Sequence, residues 1–216
     1  MNILVIGAST RRSVGYLVGE YLRSRGHTVT YASRSGRMGV VCDVTNPLDV
    51  KKLISRHKPN VLIIGASSFV PTVRTGAIRD WASVQDFIMA KCFGPIVAAN
   101  AFVKSRAKGP KFFIALGGRE ISASDEMMTY TVGNGGLWSA VRFLARYSPI
   151  RAYYVDMPPI TGSAMFDIYL REKSLTRNSP YRKKERSFID VARAVDRIID
   201  GRMHKRRMIL GSKHSL

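Results

Sequence analysis

The sequence has few acidic residues and very few cysteines. Only 15 Asp and Glu stand against 35 Lys and Arg, which gives a formal net charge of +20 at pH 7. Cys42 and Cys92 provide neither a disulfide framework nor metal-ligand spacing, which is typical of a reducing compartment. No Cys or carboxylate stands at metal-ligand spacing from any of the 4 histidines, so no metal site is predicted. We expect a cytoplasmic protein with two buried structural thiols.

The sequence also lacks a long uncharged apolar run. No stretch approaches the roughly 18 residues that span a membrane, and the apolar opening at residues 1–8 has no preceding basic region, unlike a signal sequence. Yet 45% of the 216 residues are hydrophobic, which excludes a disordered basic tail. A single domain of this length buries roughly 70% of the surface of its unfolded chain. We therefore expect one soluble, unexported domain over residues 1–216, with no membrane partner.

Several continuous apolar runs, rather than alternating ones, predict strands that are covered on both faces of a parallel sheet. The predicted strands are residues 2–6, 27–32, 40–44, 60–64, 111–116 and 151–155. Helical patterns lie between them, at 13–25, 46–56, 80–104 and 133–147, and Pro95 is expected to bend the third. This alternation predicts an α/β fold, a Rossmann-like doubly wound parallel sheet in a single domain. Residues 158–186 are rich in Ser, Pro and basic residues, and are predicted to form a substrate lid.

The turn after the first strand has the chemistry of a phosphate-binding loop. Its glycines let a ligand approach the backbone, and the N-terminus of the following helix favours a phosphate. Two arginines inside the loop favour a pyrophosphate, although a plain tight turn would explain the glycine spacing as well. We predict that the loop binds a dinucleotide through Gly7, Ser9, Thr10, Arg11, Arg12, Ser13, Val14 and Gly15.

The end of the second predicted strand indicates which dinucleotide is bound. An NAD site has an acidic residue there to accept hydrogen bonds from the ribose, but this strand ends in Ala32-Ser33-Arg34-Ser35. A guanidinium cannot accept those bonds, and it pairs well with the 2′-phosphate of NADP. The alternative is that Arg34 is a solvated surface residue. We predict that Ser33 and Arg34 bind NADP, with NADPH preferred over NADH.

Four motifs stand in the order and spacing of a known family. The opening strand-turn-helix, Cys42-Asp43-Val44-Thr45, Gly65-Ala66-Ser67 and Pro158-Pro159-Ile160-Thr161 together resemble the short-chain dehydrogenase/reductase family over nearly the whole chain. The resemblance implies that Asp43 with Val44 faces the adenine. It also implies that Gly65, Ala66 and Ser67 lie beside the adenosine ribose, and that Pro158 and Ile160 flank the nicotinamide.

The catalytic residues that the resemblance implies are changed at three of four positions. The family uses Ser, Tyr and Lys, with an Asn on the preceding long helix. Here Tyr130 stands at the tyrosine position, but Asn134 replaces the lysine, Gly117 the serine and Lys91 the asparagine. The sequence is similar to a compact subgroup of the family, of about two hundred residues, that carries Lys-x-x-Gly on the long helix and Asn-Gly where Lys-Ala is usual.

One interpretation is that lysine and asparagine have exchanged places. A phenol with a pKa of about 10 is a poor acid-base group at pH 7 unless a cation favours its ionised form, and Lys91 would supply that cation to Tyr130. The chain would then be an NADP-dependent reductase or dehydrogenase acting on a small carbonyl or alcohol, with catalytic residues Tyr130, Lys91 and Asn134.

The other interpretation is a shell without a reaction. Lys91 would then point to solvent and Tyr130 would pack on the lid, and the loss of the serine at Gly117 favours this interpretation. The chain would be a catalytically silent, basic structural subunit of a larger assembly, or an NADP-binding redox sensor.

The excess of positive charge is concentrated near the end of the chain. Residues 171–216 contain 14 Lys and Arg against 5 Asp and Glu, with dense clusters at 182–186 and 205–207. Such clusters attract polyanions, so RNA, DNA or an acidic protein surface is an expected partner. We also expect a homo-oligomer.

Overall fold

Seven parallel strands form one sheet within the part of the chain that the structure describes. The structure is a computed structural model and describes residues 1–67, 80–118, 128–157, 160–171, 186–202 and 207–209. The strands lie in the order β3-β2-β1-β4-β5-β6-β7, and every pair is parallel. The predicted α/β fold with a doubly wound parallel sheet is confirmed. In chain order the strands are β1 (Asn2–Ile6), β2 (Thr28–Ser33), β3 (Val40–Val41), β4 (Val61–Ile64), β5 (Phe112–Gly117), β6 (Arg151–Asp156) and β7 (Arg207–Ile209).

Helices cover both faces of this sheet. They are α1 (Val14–Ser24), α2 (Pro47–His57), α3 (Trp81–Ile88), α4 (Gly94–Val103), α5 (Met128–Tyr147), α6 (Ala164–Arg171) and α7 (Phe188–Ile199). Buried side chains of α1 and α7 form a core with one face of the strands, and those of α2, α4 and α5 form a core with the other. All residues of β4 and β5 are buried, which explains why their sequences are continuously apolar rather than alternating.

A π-helical segment at Met89–Phe93 interrupts the long helix between α3 and α4. Pro95 has no N–H to donate to the carbonyl four residues earlier. The N–H of the preceding residue, Gly94, bonds to the carbonyl of Met89, five residues back rather than four. The structure thus has a widened turn directly before Pro95, where a bend was predicted. This turn carries Lys91, so the irregularity falls at a predicted site residue, as π-bulges often do.

The run Trp81–Val103 is long and apolar enough to cross a membrane by length and composition alone. This property was not expected from the sequence. Part of its apolar surface is packed in the fold, because Phe87, Ala98 and Phe102 are fully buried against the remainder of the chain. Trp81, Phe93 and Ile96 are at least half exposed.

Three predicted elements differ from the observed ones. Strand β3 has two residues instead of five because Asp43 closes a turn, accepting hydrogen bonds from the backbone and hydroxyl of Thr45. Helix α5 begins at Met128 rather than at 133, so Tyr130 lies inside the helix. Part of the predicted lid forms helix α6, while residues 158–159 and 172–185 lie outside the described residues. Helix α7 and strand β7 were not predicted.

Candidate functional site

The carboxyl ends of the parallel strands meet at one edge of the sheet, where ligands bind in open α/β folds. The strand order reverses between β1 and β4. Gly7, directly after β1, has φ +105°, and a Cβ there would lie 2.7 Å from Cα of Ala66. Only glycine allows these two turns to approach so closely. The structure thus brings Gly7, Gly65 and Ala66 together at the point where the strand order reverses.

The N-terminus of α1 is open to an anion. Ser13 occupies the N-cap position in an extended conformation, but its hydroxyl donates to the carbonyl of Thr10 at 2.7 Å and does not cap the helix. Gly15 is buried, and a Cβ there would lie 3.1 Å from Val5, so the helix packs closely on β1. Ser9 is exposed beside this turn. The arrangement leaves the first turn of α1, which starts at Val14, without a side-chain cap.

The two loop arginines have different surroundings. Arg11 is exposed and forms no ion pair with any residue in the described ranges. Arg12 instead contacts the lid helix: its guanidinium pairs with Asp167 and donates to the carbonyl of Gly162 at 3.1 Å, and its carbonyl accepts from the N–H of Ala164. The predicted pyrophosphate loop is therefore tied to α6 through Arg12.

Arg34 also has a carboxylate partner. It directly follows the last residue of β2, and its two terminal nitrogens donate to the two carboxylate oxygens of Asp86 on α3, at 2.8 and 3.1 Å. These hydrogen bonds raise the pKa of Arg34, which stays charged. Next to it, Ser33 is buried, with its hydroxyl 3.3 Å from that of Ser35. Arg34 is thus a half-exposed residue paired with Asp86, and its binding to a 2′-phosphate stays a prediction.

The remaining predicted cofactor residues lie along the same edge of the sheet or outside the described residues. Val44 is buried against Gly94, where a Cβ would lie 2.7 Å from its side chain. Ser67 is exposed at the end of the β4 turn. Ile160 is buried and forms a parallel bridge with Arg186. Pro158 lies outside the described residues.

Lys91 reaches the carboxyl end of β5 from the π-helical segment. Its side chain is buried, and its Nζ donates to the carbonyl of Leu116 at 2.9 Å. Burial lowers the pKa of Lys91 to about 8. Across the described ranges, this carbonyl is the sole acceptor for the three N–H groups of the ammonium, and no carboxylate pairs with it. The interpretation in which Lys91 points to solvent is wrong.

Asn134 approaches the same strand end from α5. It is buried, and its Oδ1 accepts from the N–H of Gly118 at 3.4 Å. A Cβ added at Gly117 would overlap the Tyr154 hydroxyl and lie 3.0 Å from Oδ1 of Asn134. The space that a serine would need is therefore filled by Tyr154 and Asn134. Lys91 and Asn134 therefore both contact the backbone at the end of β5, at Leu116 and Gly118.

Tyr130 lies one helical turn before Asn134 and faces α3. Its ring packs on Phe87, with centroids 4.6 Å apart, and Phe87 itself is one turn before Lys91. Its hydroxyl donates to Sδ of Met165 on α6 at 3.7 Å. Tyr130 thus contacts the predicted lid, as the interpretation without a reaction proposed, while its ring packs on α3 through Phe87.

Sequence reasoning missed Asp86 and Asp167, which contact the predicted site residues Arg34 and Arg12. The partners in each pair are more than 50 positions apart in sequence. A local pattern could not pair them. The helical periodicity of α6 is weak in the sequence, because the helix has eight residues within a segment rich in Ser and basic residues.

Solved structures share this architecture from end to end. The protein lin1944 from Listeria innocua has a TM-score of 0.79 at 19% identity, over 97% of this chain and 99% of that chain. A short-chain dehydrogenase from Burkholderia cenocepacia, crystallised with NADP, has a TM-score of 0.76 at 16% identity, over 97% and 95% of the two chains. The chain has the fold of the short-chain dehydrogenases.

An alternative dihydrofolate reductase, FolM from Brucella canis, complexed with NADP, is also similar. Its TM-score is 0.71 at 20% identity, over 96% of this chain and 91% of that chain. No protein-family model and no curated protein sequence matches the chain. At these identities the likeness establishes the short-chain dehydrogenase fold, and the chemistry must be argued from the site.

Proposed function

We propose that the chain is an NADP-dependent oxidoreductase of the short-chain dehydrogenase type that acts on a small carbonyl or alcohol. The observation that carries this proposal is Lys91, a buried cation at the carboxyl edge of the sheet that no carboxylate of the described residues pairs with. A buried, incompletely bonded ammonium destabilises a fold. Lys91 and Asn134 contact the same strand end, and Phe87, one turn before Lys91, packs on Tyr130. A catalytic role would explain why this cost is retained.

The edge of the sheet fits an anionic dinucleotide. The uncapped start of α1 and the exposed Arg11 offer donors to a pyrophosphate, and Arg34 offers a guanidinium to a 2′-phosphate. The solved relatives of the same fold that carry NADP or NADPH in their crystals support this choice. When bound, NADPH supplies a hydride. Asp43, Gly65, Ala66 and Ile160 are assigned to its adenosine and nicotinamide ends by the same proposal.

Tyr130 exchanges the proton at the substrate oxygen in this proposal. With a pKa of about 8, Lys91 is mostly charged at neutral pH, and in this proposal an N–H group beyond the one bonded to Leu116 donates to the phenol oxygen. A cation there favours the ionised form of Tyr130. Asn134 positions the end of β5 through Gly118. The hydroxyl of Tyr130 must exchange Met165 for substrate, so α6 covers the substrate side.

The test compares NADPH oxidation by wild type and variants with a panel of small ketones and aldehydes. Lys91→Met and Tyr130→Phe are each expected to lower turnover by roughly 10²–10⁴-fold, the usual contribution of acid-base groups. Lys111→Met is the matched control, because Lys111 also donates to backbone carbonyls, at the opposite end of β5. Normal turnover in Lys91→Met would refute the role of Lys91.

The same measurements distinguish this proposal from its two alternatives, a catalytically silent subunit and a redox sensor. Gly117 in place of serine is the observation that favours them. NADPH binding without turnover on any substrate would support the sensor. Failure of both NADPH and NADH to bind, measured by fluorescence at two salt concentrations, would leave the structural subunit.

We propose that the chain associates with itself through the outer faces of the 81–103 helix and α5. Six large apolar side chains are at least half exposed there: Trp81, Phe93, Ile96, Val132, Phe143 and Tyr147. An exposed apolar set of this size is typical of a protein interface. Light scattering is expected to show an oligomer, and Phe143→Glu is expected to dissociate it; a monomeric wild type would contradict the proposal.

A polyanion partner at the C-terminal basic clusters remains a proposal supported by the charge of +20. Most of the residues concerned, 182–186 and 205–207, lie outside the described residues. Heparin or RNA binding is expected to disappear when Arg182, Lys183 and Lys184 are neutralised together. Retained binding would place the interaction elsewhere.

A further inference from the structure

Asp86 is placed to compete with a phosphate for Arg34. Its two oxygens accept from both terminal nitrogens of the guanidinium, at 2.8 and 3.1 Å. This fork-to-fork geometry is the same one that a guanidinium uses to bind a phosphate. A phosphate that approaches Arg34 must therefore displace the carboxylate or share the guanidinium with it.

Helix α3 holds Asp86 in this position. Asp80 caps the helix, accepting from the N–H of Ser83 at 3.0 Å, and Phe87 anchors it in the core against Tyr130. The side chains of Arg34 and Asp86 are both partly exposed, at 54% and 39%. The ion pair is therefore reachable by a ligand, while the helix that carries the carboxylate is fixed.

We infer that Asp86 is a specificity-determining residue that weakens the preference for NADPH over NADH. The inference rests on the proposed cofactor site. NADPH carries a 2′-phosphate that is repelled by the carboxylate and competes with it for Arg34, whereas NADH has a hydroxyl there and does neither. Asp86 thus weakens the binding of NADPH and does not affect the binding of NADH.

The test measures NADPH and NADH dissociation constants by fluorescence for wild type and Asp86→Asn. Loss of an exposed ion pair and of the repulsion is expected to tighten NADPH binding roughly 2- to 10-fold and to change NADH binding by less than about 2-fold. The gain is expected to shrink at high salt, which screens exposed charges. In an Arg34→Gln background, Asp86→Asn is expected to give a smaller gain in NADPH affinity, because the competition for Arg34 is gone and only the repulsion of the 2′-phosphate is relieved.

Asp80→Asn is the matched control. It removes the same charge from the same helix, and Asn caps a helix as well as Asp does. Weaker NADPH binding in Asp86→Asn, equal gains for both cofactors, or a gain equal to that of Asp80→Asn would overturn the inference.

Binding of 2′,5′-ADP separates this inference from the proposed function. If wild type binds neither cofactor and no 2′,5′-ADP, the proposed cofactor site is refuted and the inference with it. If wild type binds NADPH and Asp86→Asn binds it equally well, only the inference fails.

Discussion

Restoring the serine that the family resemblance expects is predicted to damage the fold. In Gly117→Ser, the new Cβ would lie 2.8 Å from Cζ of Tyr154 and would overlap its hydroxyl. Tyr154 is fully buried, and its ring packs edge-on against Trp138 at 5.4 Å, so it cannot swing aside. Overpacking of this kind costs about 1–3 kcal/mol. We expect the upper part of that range, because the overlapping atoms belong to a rigid buried ring.

The assay is urea and thermal unfolding of Gly117→Ser, Tyr154→Phe and the double variant. A loss of about 3 kcal/mol lowers the Tm of a chain of this length by roughly 6–12 °C. Tyr154→Phe removes the overlapping oxygen, so the double variant is expected to recover at least about 1 kcal/mol relative to additivity.

Gly135→Ser is the control, since a Cβ at Gly135 meets no atom within 4 Å. Serine is also a better helix former than glycine, so this variant is expected to match wild type or exceed it. A Tm for Gly117→Ser close to that of wild type would refute the steric argument. The glycine would then have to be explained by function.

Two further predictions concern Lys91 and the Arg12–Asp167 pair. The pKa of Lys91 is about 8 in the fold against 10.5 unfolded, so its burial costs on the order of 3 kcal/mol at pH 7. Wild type regains this stability as pH rises from 8 to 10.5. Lys91→Met is therefore expected to be more stable than wild type at pH 7, by an amount that shrinks over that interval in urea unfolding; a constant difference would contradict the assigned pKa. Asp167→Asn removes an exposed pair worth less than about 1 kcal/mol, so we expect little change in Tm but faster hydrogen exchange in α6, and unchanged exchange would show that Arg12 does not hold this helix.

The regular elements of the fold could be predicted from local sequence. Val14, Val18 and Leu22 recur at helical spacing before Gly26, and α1 spans Val14–Ser24. Continuous apolar runs gave β1 and β4 within one residue of their observed bounds. These elements are determined by periodicity, which needs no knowledge of distant residues.

Helix α7 could have been found in the same way. Ser187 caps it, and Val191, Val195 and Ile198 recur on its buried face. The surrounding charge concealed this pattern, because the segment was interpreted by its basic residues alone. Strand β7 has three residues beside basic neighbours, which is too short for a periodic signal.

Within the site, only those positions could be predicted that a sequence motif marks by itself. Lys91 and Asn134 were predicted to face each other from motif positions, and they do approach the same strand end. The reason for Gly117 could not be predicted, because Tyr154 is 37 positions away and meets it only through the β5–β6 pairing. Complementarity of this kind depends on the assembled sheet.

The surroundings of Arg12 and Arg34 show what net charge leaves out of the predicted phosphate contacts. Arg12 and Arg34, both predicted to bind phosphates, pair with Asp167 and Asp86. In the proposed function an anionic cofactor then exchanges with a carboxylate at each arginine, rather than binding a bare cation. The free energy of phosphate binding is smaller in each exchange than it would be at an unpaired guanidinium, because the free energy of the lost ion pair must be subtracted. The charge of +20 therefore acts at long range on any anion, whereas discrimination between anions depends on which of them can displace these two carboxylates.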